Sequence, residues 1–365
     1  MGRRPRALES LGLMAMPVDP AFWRGRRVLL TGHTGFKGSW CALWLRHLGA
    51  EVFGLALAPE TDPNLFDLAR VGEDSTSRIG DIRDADFVRR AVVESRPSIV
   101  LHMAAQALVR RSVSAPLETF AANVMGTAHL LDALRALPGL DAVLVVTTDK
   151  VYENAESGRA FTESDPLGGH DPYSASKAAA EIVTACYART WFDAAGTPLA
   201  TARGGNVIGG GDFSQDRIVP DIWRAMRRNE PVVLRNPAAT RPWQHVLDCL
   251  CGYLSYAQAL ANGDAVPRAL NFGPRDGAVP VATLAQAMQE ALGAPRGWVL
   301  AEGPQPREMQ ALALDCTQAR DILGFRDRLV GAAAIEATAA WYLAHARGED
   351  MRAVTLRAIV DYMRS

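Results

Sequence analysis

Cysteine is scarce in this sequence and falls in no pattern: Cys41, Cys186, Cys249, Cys251 and Cys316 are five among 365 residues. Neither an even disulfide framework nor a zinc-type spacing can be drawn through them, so no metal site is expected. Cys249 and Cys251 stand two apart in a stretch that reads as helix, and so point to different sides. A reducing cytoplasm is the simplest setting for such thiols. Net charge is nearly absent too, at a formal −1. No global field draws the chain toward nucleic acid or a membrane surface. There is no unbroken apolar run of about 18 residues, the length a membrane-spanning helix needs. Internal repeats and low-complexity segments are missing. What remains is an ordinary globular balance, 48% apolar and 22% charged. The length suits one large or two moderate domains with a sizeable core.

Residues 1–20 stand apart from the rest. Arg3, Arg4 and Arg6 precede a short apolar stretch that Glu9 interrupts, too short for a secretory signal. This segment reads as a disordered extension, with Met16 as an alternative start.

The chain is organised around Thr147 to Lys177. Ala142–Val146 is a short apolar run without alternation, as in a buried parallel strand. It turns polar at once, into Thr147-Thr148-Asp149-Lys150. Chemistry in parallel α/β sheets collects at the carboxyl ends of strands, where Thr148, Asp149 and Lys150 fall. Asp171-Pro172 signals a helix start, and Tyr173 and Lys177 share one face of that helix. An ammonium beside a phenol favours the phenolate, which makes Tyr173 a candidate base near neutral pH. Alone, the Tyr/Lys pair reads as a surface pair and the Thr-Thr-Asp-Lys run as an ordinary turn. Both plain readings lose ground because a glycine-rich loop lies at the other end of the same domain.

That loop is Gly32-His33-Thr34-Gly35-Phe36-Lys37-Gly38, between a strand at Val28–Leu30 and a helix at Ser39–Leu48. Glycines there permit a tight turn and let backbone N–H groups approach a pyrophosphate. The second strand, Glu51–Leu57, runs into Ala58-Pro59-Glu60. Its end is where an acid often holds the adenosine ribose. Glu60 is the acid on offer, and Lys37 is positioned to meet a 2′-phosphate instead, which leaves NAD and NADP both open. Asp81, followed by Ile82, suits the adenine amino group, or else caps a helix at Ala85–Glu94. The strand Ser98–His102 runs into Met103-Ala104-Ala105-Gln106, small enough to pass under a cofactor. Asn123 begins the next helix. The β-α alternation from residue 26 to about 200 is that of a doubly wound parallel sheet. Residues 21–200 form the expected dinucleotide domain, with a return crossing near 240–275. Residues 201–365 form mainly a smaller mixed α/β lobe. Gly204 to Asp212 marks irregular backbone containing Asn206. Arg217, Arg235, Arg241 and His245 follow it, and guanidinium forks suit diphosphate oxygens.

These residues resemble the extended short-chain dehydrogenase/reductase family of NAD-dependent epimerases and dehydratases, from about residue 20 onward. The likeness rests on Thr31–Trp40, His102–Gln106, Asn123–Thr127, Gly205–Asp212, Arg241–Val246 and Leu314-Asp315-Cys316. Three features depart from it: Val151 in place of a cysteine, Gly204 in place of an alanine, and no firm acid after the second strand. The resemblance implies bound NAD, a nucleotide-sugar substrate, a homodimer formed through a four-helix contact, and a role in deoxysugar biosynthesis. It also implies a triad of Thr148, Tyr173 and Lys177. Gly32, Thr34, Gly35, Phe36, Lys37, Gly38, Asp81, Ile82, Ala104, Ala105, Gln106 and Asn123 would hold cofactor, and Asn206, Arg217, Arg235, Arg241 and His245 substrate. Sibling dehydratases carry Asp-Glu where this chain has Asp149-Lys150, which makes that pair the candidate acid and base of a 4,6-dehydration. A 4-epimerase or ketoreductase needs only the triad, so the charged pair argues against it. A non-catalytic dinucleotide sensor has no use for the triad at all. The helices after Asn123 (Val124, Leu130, Leu131, Leu134) and Tyr173 (Ile182, Val183, Cys186, Tyr187, Trp191) are apolar on more than one face; one face covers the sheet and the other is the expected dimer contact.

Overall fold

The computed structural model describes residues 18–156, 158–294, 297–303, 309 and 311–365. The expected extension at residues 1–20 lies outside the described residues up to residue 17. Its last three residues take part in the fold, since Val18 is fully buried and Asp19 caps a short helix at Pro20–Trp23.

Seven strands form one sheet: β1 (Arg27–Thr31), β2 (Glu51–Ala56), β3 (Thr76–Ile79), β4 (Ile99–His102), β5 (Ala142–Thr148), β6 (Leu199–Gly204) and β7 (Ala269–Phe272). Their spatial order is β7-β6-β5-β4-β1-β2-β3, and every neighbouring pair is parallel. The order reverses between β1 and β4, which opens a crevice beyond their carboxyl ends. All residues of β4 and β5 are buried, as their continuous apolar runs require.

Six helices matter for the site: α1 (Phe36–His47), α2 (Ala85–Ser95), α3 (Gly126–Leu134), α4 (Pro172–Tyr187), α5 (Ile218–Arg228) and α6 (Val246–Ala261). On one face of the sheet, Trp40 and Trp44 of α1 join Tyr253 and Tyr256 of α6 in the main core. Helix α6 is buried nearly all round because the C-terminal helices cover it, Tyr342 and Tyr362 belonging to the same core. On the other face, Val88 of α2, Leu130 of α3 and Phe192 beyond α4 close a second core. The lobe beyond β6 carries short paired strands, Asn206–Ile208 with Trp243–His245 and Val232–Leu234 with Trp298–Leu300. Helix α6 and β7 return the chain from the lobe to the sheet.

Four local readings change. Helix α1 begins at Phe36, not Ser39, because Gly35 takes the extended conformation of an N-cap. Asp84, not Asp81, caps α2, accepting from the amides of Asp86 and Phe87 at 3.0 Å each. Asn123 does not begin a helix. It lies in a π turn, Ala121–Met125, that runs on from Pro116–Phe120 into α3. Leu130, Leu131 and Leu134 all face the sheet, so the outward apolar face of these helices is made by other residues.

One buried ion pair ties the layers together. Arg203 near the end of β6 donates to Glu181 of α4 at 2.7 Å, with both side chains almost wholly buried. Thr147 and Thr201 donate to the same carboxylate at 2.5 and 2.8 Å. Arg203 also donates to the Tyr152 hydroxyl at 3.0 Å, and Tyr152 to Asn271 of β7 at 2.5 Å. Asn271 in turn donates to the carbonyls of Phe161 and Asp315. Removing one member strands a buried charge. Arg203→Met is expected to lose about 3–5 kcal/mol in urea unfolding. The double variant Arg203→Met/Glu181→Leu is expected to lose much less.

Candidate active site

The glycine-rich turn hangs at the carboxyl end of β1. Gly32 has φ +78°, and a Cβ there would lie 2.8 Å from the amide of Ala104, beyond β4. A Cβ on Gly38 would run into the Gly32 carbonyl, so the helix packs against the turn only because position 38 is bare. No side chain caps α1. The amides of Phe36, Lys37 and Gly38 therefore face outward without intrahelical acceptors, at the positive end of a helix dipole. Thr34 donates to the Leu57 carbonyl at 2.8 Å and ties the turn to the chain leaving β2. Phe36 packs its ring beneath Gly209, where a Cβ would lie 3.1 Å away.

Ala104, Ala105 and Gln106 are half-buried along the opposite wall. Asn123 is buried and clamps this wall. It accepts from the Gln106 amide at 2.8 Å and donates to the Gln106 carbonyl at 3.0 Å and to Ser176 of α4 at 2.8 Å. Asp81 stands at the far end of the crevice, paired with Arg83 at 2.5 Å, which holds its carboxyl below the usual range. Ile82 is buried against Gly126. A close-packed backbone, small residues and outward amides suit a dinucleotide pyrophosphate. Two polar candidates point elsewhere. Glu60 is exposed and paired with Arg111 at 2.8 Å. Lys37 does not reach toward β2: its ammonium lies 5.7 Å from the ring centroid of Tyr253, on α6.

At the end of β5 the structure brings Thr148, Asp149, Lys150, Tyr173 and Lys177 together. Thr148 donates to Asp149 at 3.0 Å, and its hydroxyl faces the Tyr173 phenol closely enough to oppose the rise in that group's pKa. The other Asp149 oxygen is buried without a hydrogen-bond partner. Burial raises the Asp149 pKa, opposed by Lys150, the Thr148 hydrogen bond, Arg241 and Lys37. Lys150 is half-buried. Helix α4 is fixed at its start by Asp171, which accepts from the Ser174 amide and hydroxyl, and by Ser112, which accepts from the Tyr173 amide at 3.1 Å. The Tyr173/Lys177 pair behaves differently from the sequence reading. Lys177 donates to the Val146 carbonyl at 3.0 Å, and burial, aided by Lys37, lowers its pKa to about 7. Burial raises the Tyr173 pKa. In the protein alone, desolvation outweighs the attraction that was expected to favour the phenolate.

The lobe residues are less uniform. Arg241 is buried and acts electrostatically on Asp149. Arg217, at the start of α5, donates to the Ala107 carbonyl at 3.1 Å and faces Tyr173 closely enough to oppose its shift. Arg235 pairs with Asp216 at 2.7 Å. Asn206 is half-buried in its short strand. His245 is buried and caps α6, accepting from the Leu247 amide at 3.2 Å; burial lowers its pKa to about 3.

A sequence model described as the NAD dependent epimerase/dehydratase family matches residues 28–273. The chain belongs to that family. Among relatives, it is 44% identical over 353 residues to the CDP-glucose 4,6-dehydratase of Salmonella typhimurium, covering 95% of this chain and 98% of that one. It is 30% identical to the dTDP-glucose 4,6-dehydratase of Xanthomonas campestris pv. campestris, covering 86% and 92%. The structure is similar to the UDP-glucose 4-epimerase of Thermus thermophilus in complex with NAD, with a TM-score of 0.74 and 27% identity over 86% of this chain and 98% of that one.

Within this epimerase/dehydratase frame, two departures gain a local reason. Val151 is fully buried in a small cluster with Tyr152 and Phe161. Gly204 lies so near the Tyr253 hydroxyl that a Cβ would collide with it. Sequence reading missed Tyr253, Ser112, Ser176 and Glu181. The bare position 204 was the one signal pointing to Tyr253. Gly38→Ala tests the cradle. Overpacking of about 1–3 kcal/mol is expected to weaken dinucleotide binding about tenfold or more in calorimetry, with the far-ultraviolet circular dichroism retained.

Proposed function

We propose that this protein is a hydro-lyase that converts CDP-glucose to CDP-4-keto-6-deoxyglucose, an early step toward deoxysugars. The observation that carries the reading is the pair Asp149-Lys150 beside Thr148 and Tyr173, with one Asp149 oxygen buried and unpartnered. The 44% identity to a CDP-glucose 4,6-dehydratase over nearly the whole chain supports the choice of substrate. A 4-epimerase or ketoreductase would have no use for a charged pair there.

The cofactor would lie between the Gly32–Gly38 turn and the Ala104–Gln106 wall. When bound, NAD supplies a cationic ring that favours the phenolate, a hydride acceptor for C4 and a hydride donor for C6, so no co-substrate is consumed. Tyr173, held by Thr148, takes the proton of the sugar 4-hydroxyl. Lys177, already near neutrality through burial, sits one turn along the same helix and moves its proton at little cost. The 4-ketone acidifies C5, and Lys150 removes that proton. Asp149, whose burial favours the acid form, gives its proton to the departing C6 hydroxyl. Arg217, Arg235 and Arg241 are the proposed diphosphate contacts, with Asn206 beside them. Residues 21–200 would carry the cofactor and the following lobe the sugar nucleotide. We place the enzyme in the cytoplasm, where its five free thiols stay reduced.

We also propose a homodimer through α4 with its continuation to Phe192 and the helical segment 116–134 beside it. Ile182, Trp191, Met125, Phe120 and Leu117 are exposed there, Leu117 by 83%. Apolar exposure of this kind on neighbouring helices marks an interface. Light scattering at micromolar concentration is expected to give twice the chain mass, and Ile182→Arg to give the monomer mass.

The activity test is incubation with CDP-, dTDP-, UDP- and GDP-glucose in turn, with detection of the 4-keto-6-deoxy product. CDP-glucose is expected to be turned over fastest, and a protein inert on all four would end this reading. Tyr173→Phe is expected to block cofactor reduction. Lys150→Met should leave C4 oxidation possible but slow deuterium exchange at C5. Asp149→Asn should slow water loss more than exchange. Each loss is expected to be about 10²–10⁴-fold.

A further inference from the structure

The Lys37 side chain is the part of the glycine-rich turn that pyrophosphate binding by backbone amides leaves without a task. It sits in the first turn of α1, with its ammonium 5.7 Å from the centroid of the Tyr253 ring of α6. Tyr253 is buried, and its hydroxyl has no nitrogen or oxygen partner. That hydroxyl sits where a Cβ on residue 204 would have to be. Gly204 pairs in register with Thr148, the residue before Asp149. A Cβ on the next residue, Gly205, would lie 3.3 Å from the unpartnered oxygen of Asp149. One wall, bare of side chains at two consecutive positions, therefore runs from Lys37 through Tyr253 to that oxygen. Among the described residues, no carboxylate lies within ion-pair distance of Lys37.

We propose that Lys37 is a positioning residue for the Asp149 proton. Its ammonium, steadied over the Tyr253 ring, offsets the carboxylate charge left when Asp149 protonates the departing C6 hydroxyl. The inference rests on the dehydratase reading and deepens it. Cation–π contact accounts for the placement of the ammonium. A cation in a poorly solvated site stabilises the ionised form of a nearby acid. Other groups act on Asp149 as well: Lys150 and Thr148 from its own segment, Arg241 from the lobe, Tyr173 from α4 and Tyr253 from α6. Lys177 of α4 and Cys249 of α6 also lie within the field of Lys37. Lys150 and Arg241 share the compensation, so loss of Lys37 is partial in effect. Without Lys37 the Asp149 acid is weaker, its pKa rises further, and the rate falls where proton donation limits it.

The test compares the full-length wild type with Lys37→Met and Lys37→Arg. The measurements are kcat and KM for CDP-glucose across pH, cofactor reduction on mixing with substrate, and calorimetric Kd for NAD and NADP. Lys37→Met is expected to lower kcat about tenfold, short of the ~10²–10⁴ of a full acid–base group, with KM little changed. The alkaline limb of its kcat profile is expected to move up by about one pH unit. Reduced cofactor should accumulate before product, the NAD to NADP affinity ratio should stay as in the wild type, and Lys37→Arg should restore most of the rate. An unmoved pH profile with selective loss of NADP or NAD affinity would assign Lys37 to a cofactor phosphate and overturn the inference. A variant indistinguishable from wild type overturns it as well. A wild type that forms no 4-keto-6-deoxy product sinks the dehydratase reading first and this inference with it.

Discussion

Desolvation at the carboxyl end of β5 governs the architecture around it. Asp149, Tyr173 and Lys177 are all buried within a few residues of one another in space, and burial pushes each toward its neutral form. An isolated charge there would cost several kcal/mol. The groups are tolerated because partial compensation surrounds them: the Thr148 hydroxyl, the Val146 carbonyl and the charges of Lys150, Arg241 and Lys37. Burial brings Lys177 to about 7, near its protonation balance, and holds Asp149 and Tyr173 toward their acid forms. Buried titratable groups shifted in this way are characteristic of functional sites.

Holding such groups in place demands a stiff frame, and the chain supplies one from distant segments. Parallel pairing sets Thr148 opposite Gly204, so the ends of β5 and β6 arrive together. Glu181, one turn beyond Lys177, is locked by Arg203, Thr147 and Thr201 and fixes the height of α4 on the sheet. Asn123 and Ser176 tie the same helix to the wall beyond β4. Tyr152 and Asn271 carry the network into the segment around Phe161 and Asp315, so the lobe is tied to the strand ends it faces. The bare positions are as necessary as the side chains. Gly32 and Gly38 allow the turn to pack on its neighbours, and Gly204 and Gly205 leave room for Tyr253 and Asp149.

The parts of this architecture that were legible beforehand are those written over short stretches. Continuous apolar runs announced β4 and β5, the strand–glycine turn–helix order announced the crevice, and Asp171-Pro172 announced α4. The four-residue spacing of Tyr173 and Lys177 placed them on one face. Local signals also misled where two residues competed for one task. Asp84 took the cap that Asp81 could equally have filled, and the π turn at Asn123 has no mark in residue type. Leu130, Leu131 and Leu134 are apolar whichever way they face, and only packing against the sheet set their direction.

Residue order and spacing were thus enough for the fold class, the glycine-rich turn after β1 and the identity of the polar residues after β5. They were enough because periodicity, turn chemistry and glycine placement are properties of neighbouring residues. Charge state was beyond them. Whether Tyr173 sits near a cation, whether Lys177 keeps its proton and where the Lys37 ammonium rests depend on burial by α4, α6 and the lobe. Burial is set by segments far apart in the chain, such as those that bring Lys37 to Tyr253, and the electrostatic cost of a charge depends on its surroundings far more than on its sequence neighbours.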